Sequence, residues 1–122
     1  LAVLVAPAAE YTDVNHEAVQ AADCDLRARL VFLGKCHDSM AGTGAICTAA
    51  ASRVPGTLTN IAADLRAPTG TLRIGHPLGV MAAKVVARSG GVPTETRFEA
   101  LGLQRTARRL MAGMVYVPLA LD

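Results

Sequence analysis

The stretch from Asp38 to Gly56 limits the possible folds more than any other. Gly42-Thr43-Gly44 leads into Ala45-Ile46-Cys47-Thr48-Ala49-Ala50-Ala51, no charge appears until Arg53, and Pro55-Gly56 ends the run. A helix of about residues 40–53 with so little polarity is expected to be buried all round. Its side chains are small, so whatever covers it must approach closely, and a sheet curled around the helix does this with the least chain. The opening glycines leave the first helical amides sterically open. With the positive end of the dipole they form a place for a carboxylate or phosphate. The same glycines also suit a chain that only needs to turn into a helix.

The remaining composition decides what the core around such a helix is made of. The 122-residue chain is 52% hydrophobic and 18% charged, yet only 3% aromatic. One domain is the expected organisation, with a core of Ala, Val, Leu and Ile. So much apolar surface on a short chain calls for cover by a partner subunit or a missing segment; exposed strand edges call for a partner too, and a homodimer or higher oligomer is expected. A net charge of +2 and the lack of aromatics among basic residues argue against nucleic acid, and Arg105, Arg108 and Arg109 read as a solvated face. No apolar run is long enough for a membrane helix. Cys24, Cys36 and Cys47 have no CxxC spacing and fit a reducing, cytoplasmic setting. His16, His37 and His76 are too far apart to form a metal motif, so no metal is expected. The opening Leu1-Ala2-Val3-Leu4-Val5, with neither an initiating Met nor a basic leader, reads as a chain that begins in mid-fold.

In chain order, Leu1–Val5 reads as a buried strand ended by Pro7, and Ala8–Ala22 as a loop with at most a helical turn. Asp25–Lys35 alternates with period two, which favours a strand leading straight to the central helix, although Leu26, Leu30 and Leu33 also fit a helix face. Thr57–Ile61 reads as a short extended piece or a helix turn, and Asp64–Gly70 as a loop. Strands are expected at Thr71–Gly75 and Val80–Arg88, broken at His76-Pro77-Leu78-Gly79, with a turn over Ser89–Pro93. Two or three more strands are expected in Thr96–Ala100, Leu101–Leu110 and Met114–Leu119, with Ala112-Gly113 as a hairpin connection.

Four blocks, read in order, resemble the PrpF family of isomerases of unsaturated di- and tricarboxylates. They are Lys35-Cys36-His37 leading into Gly42-Thr43-Gly44-Ala45-Ile46-Cys47-Thr48, then Pro55-Gly56-Thr57, then Arg73-Ile74-Gly75-His76-Pro77 with Gly79, and finally Arg105-Thr106-Ala107-Arg108. The resemblance implies an α+β fold, half of a diaminopimelate epimerase-like architecture in which a mixed or antiparallel sheet wraps a central helix. Residues 1–122 would form a single domain corresponding to the later part of the family's C-terminal domain, without the N-terminal domain.

The implied chemistry is a cofactor-independent proton shift or cis-trans isomerisation of a small carboxylate held at the helix start. The implied substrate-binding residues are Gly42, Thr43, Gly44, Ala45, His76 and Gly79, with Lys35 and His37 as candidate bases beside the helix entrance. Ala41 stands where related epimerases carry a catalytic cysteine, so two-thiol racemase chemistry has no support. Leu78 replaces the family's usual Ser. The other reading of the chain is a stand-alone remnant that binds a carboxylate, or only oligomerises, without turnover. Cys47, inside the helix, is read as a small core residue.

Overall fold

The computed structural model describes residues 1–64 and 70–118. Its main sheet has strands in the order β1 (Ala2–Pro7), β4 (Leu26–Phe32), β6 (Gly70–His76), β7 (Gly79–Arg88) and β8 (Arg97–Leu103), with the short β5 (Lys35–Cys36) also on β4. Neighbours are antiparallel except β4 and β6, which run parallel with Leu26 opposite Ile74 and Arg27 opposite Gly75. A two-stranded ribbon, β2 (Tyr11–Thr12) with β3 (Ala18–Val19), precedes β4. Among the described residues there are also two α-helices, α1 (Gly42–Ala51) and α2 (Leu58–Ala63), and two short 3-10 turns, Ala21–Asp23 and Pro93–Glu95.

Alternation builds the core. Leu26, Ala28 and Leu30 of β4, Leu72 and Ile74 of β6, and Ala83 and Val85 of β7 are buried with Ala45 and Ala49 of α1. The helix lies against β6, β7 and β8. A Cβ added at Gly44 would meet Leu30 Cδ1 at 2.7 Å, and one at Gly42 would meet Leu103 Cδ1 at 3.0 Å. The helix start is thus flanked by β4 on one side and β8 on the other. The sheet curls around it, and the glycines let the helix approach that closely.

Several expectations are corrected. The helix is not buried all round: Gly44, Ala45, Thr48 and Ala49 are, whereas Gly42, Thr43 and Cys47 are exposed. The curled sheet covers only one side of the rod, so the reading of Cys47 as a core residue also fails. The strand at residue 25 does not run on to the helix. Leu33 and Gly34, at φ 50° and 75°, turn it back as β5, since positive φ at both central residues makes a tight hairpin. Of the two readings of Thr57–Ile61 the helical one holds: Thr57 heads α2, because its Oγ1 accepts the Asn60 amide at 3.1 Å as an N-cap. Among the described residues beyond Leu103 no strand follows, and 104–118 is irregular and exposed. Among the described residues no strand pairs with the β-rich pattern of Met114–Val117, and Ala112-Gly113 makes no hairpin. Leu119 and most of the loop expected at Asp64–Gly70 lie outside the described residues.

A buried charge joins the parallel pair. Asp25, 1% exposed, accepts from the Arg73 amide at 2.7 Å and from its guanidinium at 2.7 and 3.1 Å. Parallel strands cannot be joined by a tight turn, so this clamp fixes their register.

Candidate functional site

The register brings three of the sequence-selected features to one end of the sheet. Val31 pairs with Ala2 on one side and Cys36 on the other. β5 therefore occupies the edge of β4 that β6 uses further down, at Leu26 and Arg27. Because β4 and β6 are parallel, their C-terminal ends point the same way. At that end stand the β4–β5 hairpin with Lys35, the turn after His76, and the start of α1 packed on Leu30. The His37 amide closes the group by donating to the Leu30 carbonyl at 2.7 Å. Ligands of open sheets gather outside such strand ends.

At the helix start, Ala41 is the N-cap, extended at φ −61° and ψ 139°, and has no side chain to cap the helix. The Ala45 amide donates to the Ala41 carbonyl at 2.8 Å and opens the helical ladder. The amides of Gly42, Thr43 and Gly44 precede it, and no acidic residue stands in the first turn. They are donors at the positive end of the dipole. Ala45 is different: its amide is committed within the helix and the residue is fully buried, which removes it from the binding set.

His76 is 5% exposed. By alternation it lies on the same face of β6 as Leu72 and Ile74, the face against which α1 packs. Its Nδ1 accepts the Leu78 amide at 3.1 Å, so a proton on the neutral ring belongs on Nε2. Burial, with the Arg29 guanidinium adding to it, holds the imidazole below its ordinary value. It is a neutral donor at physiological pH. Gly79 closes the turn at φ +105°, a conformation suited to glycine. Its carbonyl takes a hydrogen bond from Tyr11.

Lys35 and His37 are exposed and line a shallow hollow of about 260 Å³ with Phe32, Cys36 and Asp38. His37 Nδ1 accepts the Ser39 amide at 3.1 Å, so this imidazole caps the turn into α1. Among the described residues no His, Cys, Asp and Glu cluster could hold a metal ion, and no helix is long and apolar enough to cross a membrane. Tyr11 escaped the sequence reading altogether. It sits in an irregular polar stretch, and its partners are 65 and 68 residues away.

Comparisons with known proteins identify the family and the fold. The chain matches the family model described as PrpF protein over residues 1–118. It is 38% identical over 109 residues to a 3-methylitaconate isomerase of Eubacterium barkeri, covering 88% of this chain and 27% of that protein. It is also 38% identical over 114 residues to a 2-methyl-aconitate isomerase of Cupriavidus necator, covering 93% and 28% respectively. The crystal structure of a methylitaconate-delta-isomerase superposes with a TM-score of 0.74 at 35% identity, over 91% of this chain and 27% of that one. The likeness establishes the diaminopimelate epimerase-like fold. The chain spans little more than a quarter of the length of these relatives.

Proposed function

The chain belongs to the PrpF family, and we propose that it is the part of an isomerase that holds a carboxylate of a small unsaturated di- or tricarboxylic acid. The observation that carries this reading is the uncapped start of α1, set at the same sheet end as His76 and the Lys35–His37 hairpin. An allylic proton shift next to a carboxylate pushes negative charge onto that carboxylate, so fixed donors aimed at it lower the barrier. The amides of Thr43 and Gly44 are those donors, and neutral His76 adds a polar neighbour. A base must take the proton and an acid return it. Lys35 and His37 are the candidates within this chain, and proton transfer by side chains needs no cofactor. We place the chain in the later part of the family's C-terminal domain, with the rest of the catalytic cleft supplied by further polypeptide.

The test, made with the rest of the cleft present, is exchange of solvent deuterium into 2-methylaconitate and 3-methylitaconate, the acids named by the relatives, followed by proton NMR. Thr43→Pro removes one amide donor in the first helical turn, where that N–H has no intrahelical partner, and is expected to abolish exchange, while Cys47→Ala leaves it unchanged. Equal exchange in both variants would refute the assignment of α1. Carboxylate binding without exchange would instead favour the reading as a binding remnant.

A further inference from the structure

The turn that carries His76 is held from the opposite face of the sheet by a segment far away in sequence. Tyr11 Oη donates to the carbonyls of His76 at 3.0 Å and Gly79 at 2.5 Å, the two ends of that turn. The Val14 amide donates to the carbonyl of Pro77 between them, at 2.8 Å. The Tyr11 ring lies so close to the strand that a Cβ at Gly75 would meet it at 3.1 Å. Arg29 stacks over the ring with its guanidinium carbon 5.1 Å from the centroid, and donates to the Gly75 carbonyl at 3.4 Å. Every carbonyl from Gly75 to Pro77 is thereby tied to Tyr11, Val14 or Arg29.

We infer that Tyr11 is a positioning residue for His76: its hydroxyl bridges both ends of the His76–Gly79 turn and so fixes where the imidazole points. The inference rests on the proposed carboxylate site only for its effect on binding. A single O–H shared between two carbonyls locks their separation, because each acceptor constrains the other. Burial, and then the nearby Cys24, raise the phenol above its ordinary value, so Tyr11 remains a donor through the physiological range. The peptide units it holds flank the Cα of His76 and the residue closing the turn. When they are free to rotate, the bond from the Leu78 amide to Nδ1, 3.1 Å, loses its geometry and the ring its fixed tautomer.

The experiment compares the parent with Tyr11→Phe, which removes the hydroxyl and keeps the ring under Arg29. The control is Val19→Ala, which loosens the same ribbon at a buried residue without touching the turn. Three measurements are made on each protein: the urea midpoint, the NMR shift and titration of the His76 imidazole, and the affinity for 2-methylaconitate. Tyr11→Phe is expected to move the His76 resonances and its titration toward those of a free imidazole and to weaken binding about fivefold, the worth of one net hydrogen bond. Val19→Ala is expected to lower the midpoint at least as much and leave the His76 resonances in place. His76 resonances unmoved in Tyr11→Phe, or moved equally in Val19→Ala, would overturn the assignment. If the parent itself fails to bind 2-methylaconitate, the carboxylate reading fails, and the His76 resonances still decide the role of Tyr11.

Discussion

Replacing Gly44 by Ala tests whether the wrapped helix is held at its closest approach by the lack of a side chain. The new Cβ would lie 2.7 Å from Leu30 Cδ1. Carbon atoms rest about 3.5–4.0 Å apart, so roughly an ångström must be found. Leu30 is completely buried, so its Cδ1 can shift only against packed neighbours. Overpacking of this kind costs about 1–3 kcal/mol, and alanine returns up to about 1 kcal/mol of helix propensity. The net loss is expected to be about 1 kcal/mol.

The sharper quantity is the coupling with Leu30. Leu30→Ala alone leaves a cavity and costs about 2–5 kcal/mol. In the double variant the added methyl group occupies space that the leucine has vacated, so the losses do not add. Urea denaturation of the four proteins, followed by circular dichroism, should give a favourable coupling of about 1–2 kcal/mol. Additive losses, to within about 0.5 kcal/mol, would refute the contact and with it the argument that glycine is needed here for packing. Gly42→Ala is the comparison, because Leu103 is only partly buried and can give way.

Other predictions follow from the same contacts. Asp25→Ala should destabilise the chain by about 3 kcal/mol, the lower end for a broken buried pair because Arg73 is partly exposed to solvent; an unchanged urea midpoint would show that the clamp contributes nothing. Because the folded chain holds His76 below its ordinary value, the unfolded chain binds a proton that the folded one refuses. This contribution to stability is fully present above about pH 6.5 and is lost as the pH falls toward the lower folded value. His76→Gln should flatten that part of the midpoint-versus-pH curve, and an equal slope in both proteins would count against it. Cys24 is 3% exposed, and burial followed by the Asp25 charge raises its thiol. Iodoacetamide should therefore modify Cys36 and Cys47, which are exposed, and spare Cys24 until urea is added, as read by mass spectrometry. Rapid labelling of Cys24 in the native chain would refute its burial.

The candidate site was legible where the signal is local. Glycines at the start of α1 and the Pro55-Gly56 stop mark a helix because backbone conformation is decided within a few residues. His76-Pro77 and Gly79 mark a break in a strand because proline cannot join the ladder. The β4–β5 hairpin was missed because Leu33 and Gly34 look like a continuation of an alternating run, and only the positive φ of both residues turns it. The strands expected after Leu103 failed for the converse reason: local β preference needs a neighbour to pair with.

The sequence by itself determined the small-residue helix, the alternating strands that supply its covering, and the aliphatic character of the core, since these depend on period and side-chain size. The tertiary structure decided which residues meet. Strand register, with the packing of Gly44 on Leu30, puts His76, Lys35 and the start of α1 at one end of the sheet, and side-chain reach across it joins Tyr11 to His76 and Gly79. It also decided that one flank of the helix, at Thr43 and Cys47, is open. How far a sheet curls around a rod depends on twist and packing summed over every strand, and no short stretch of residues encodes that sum.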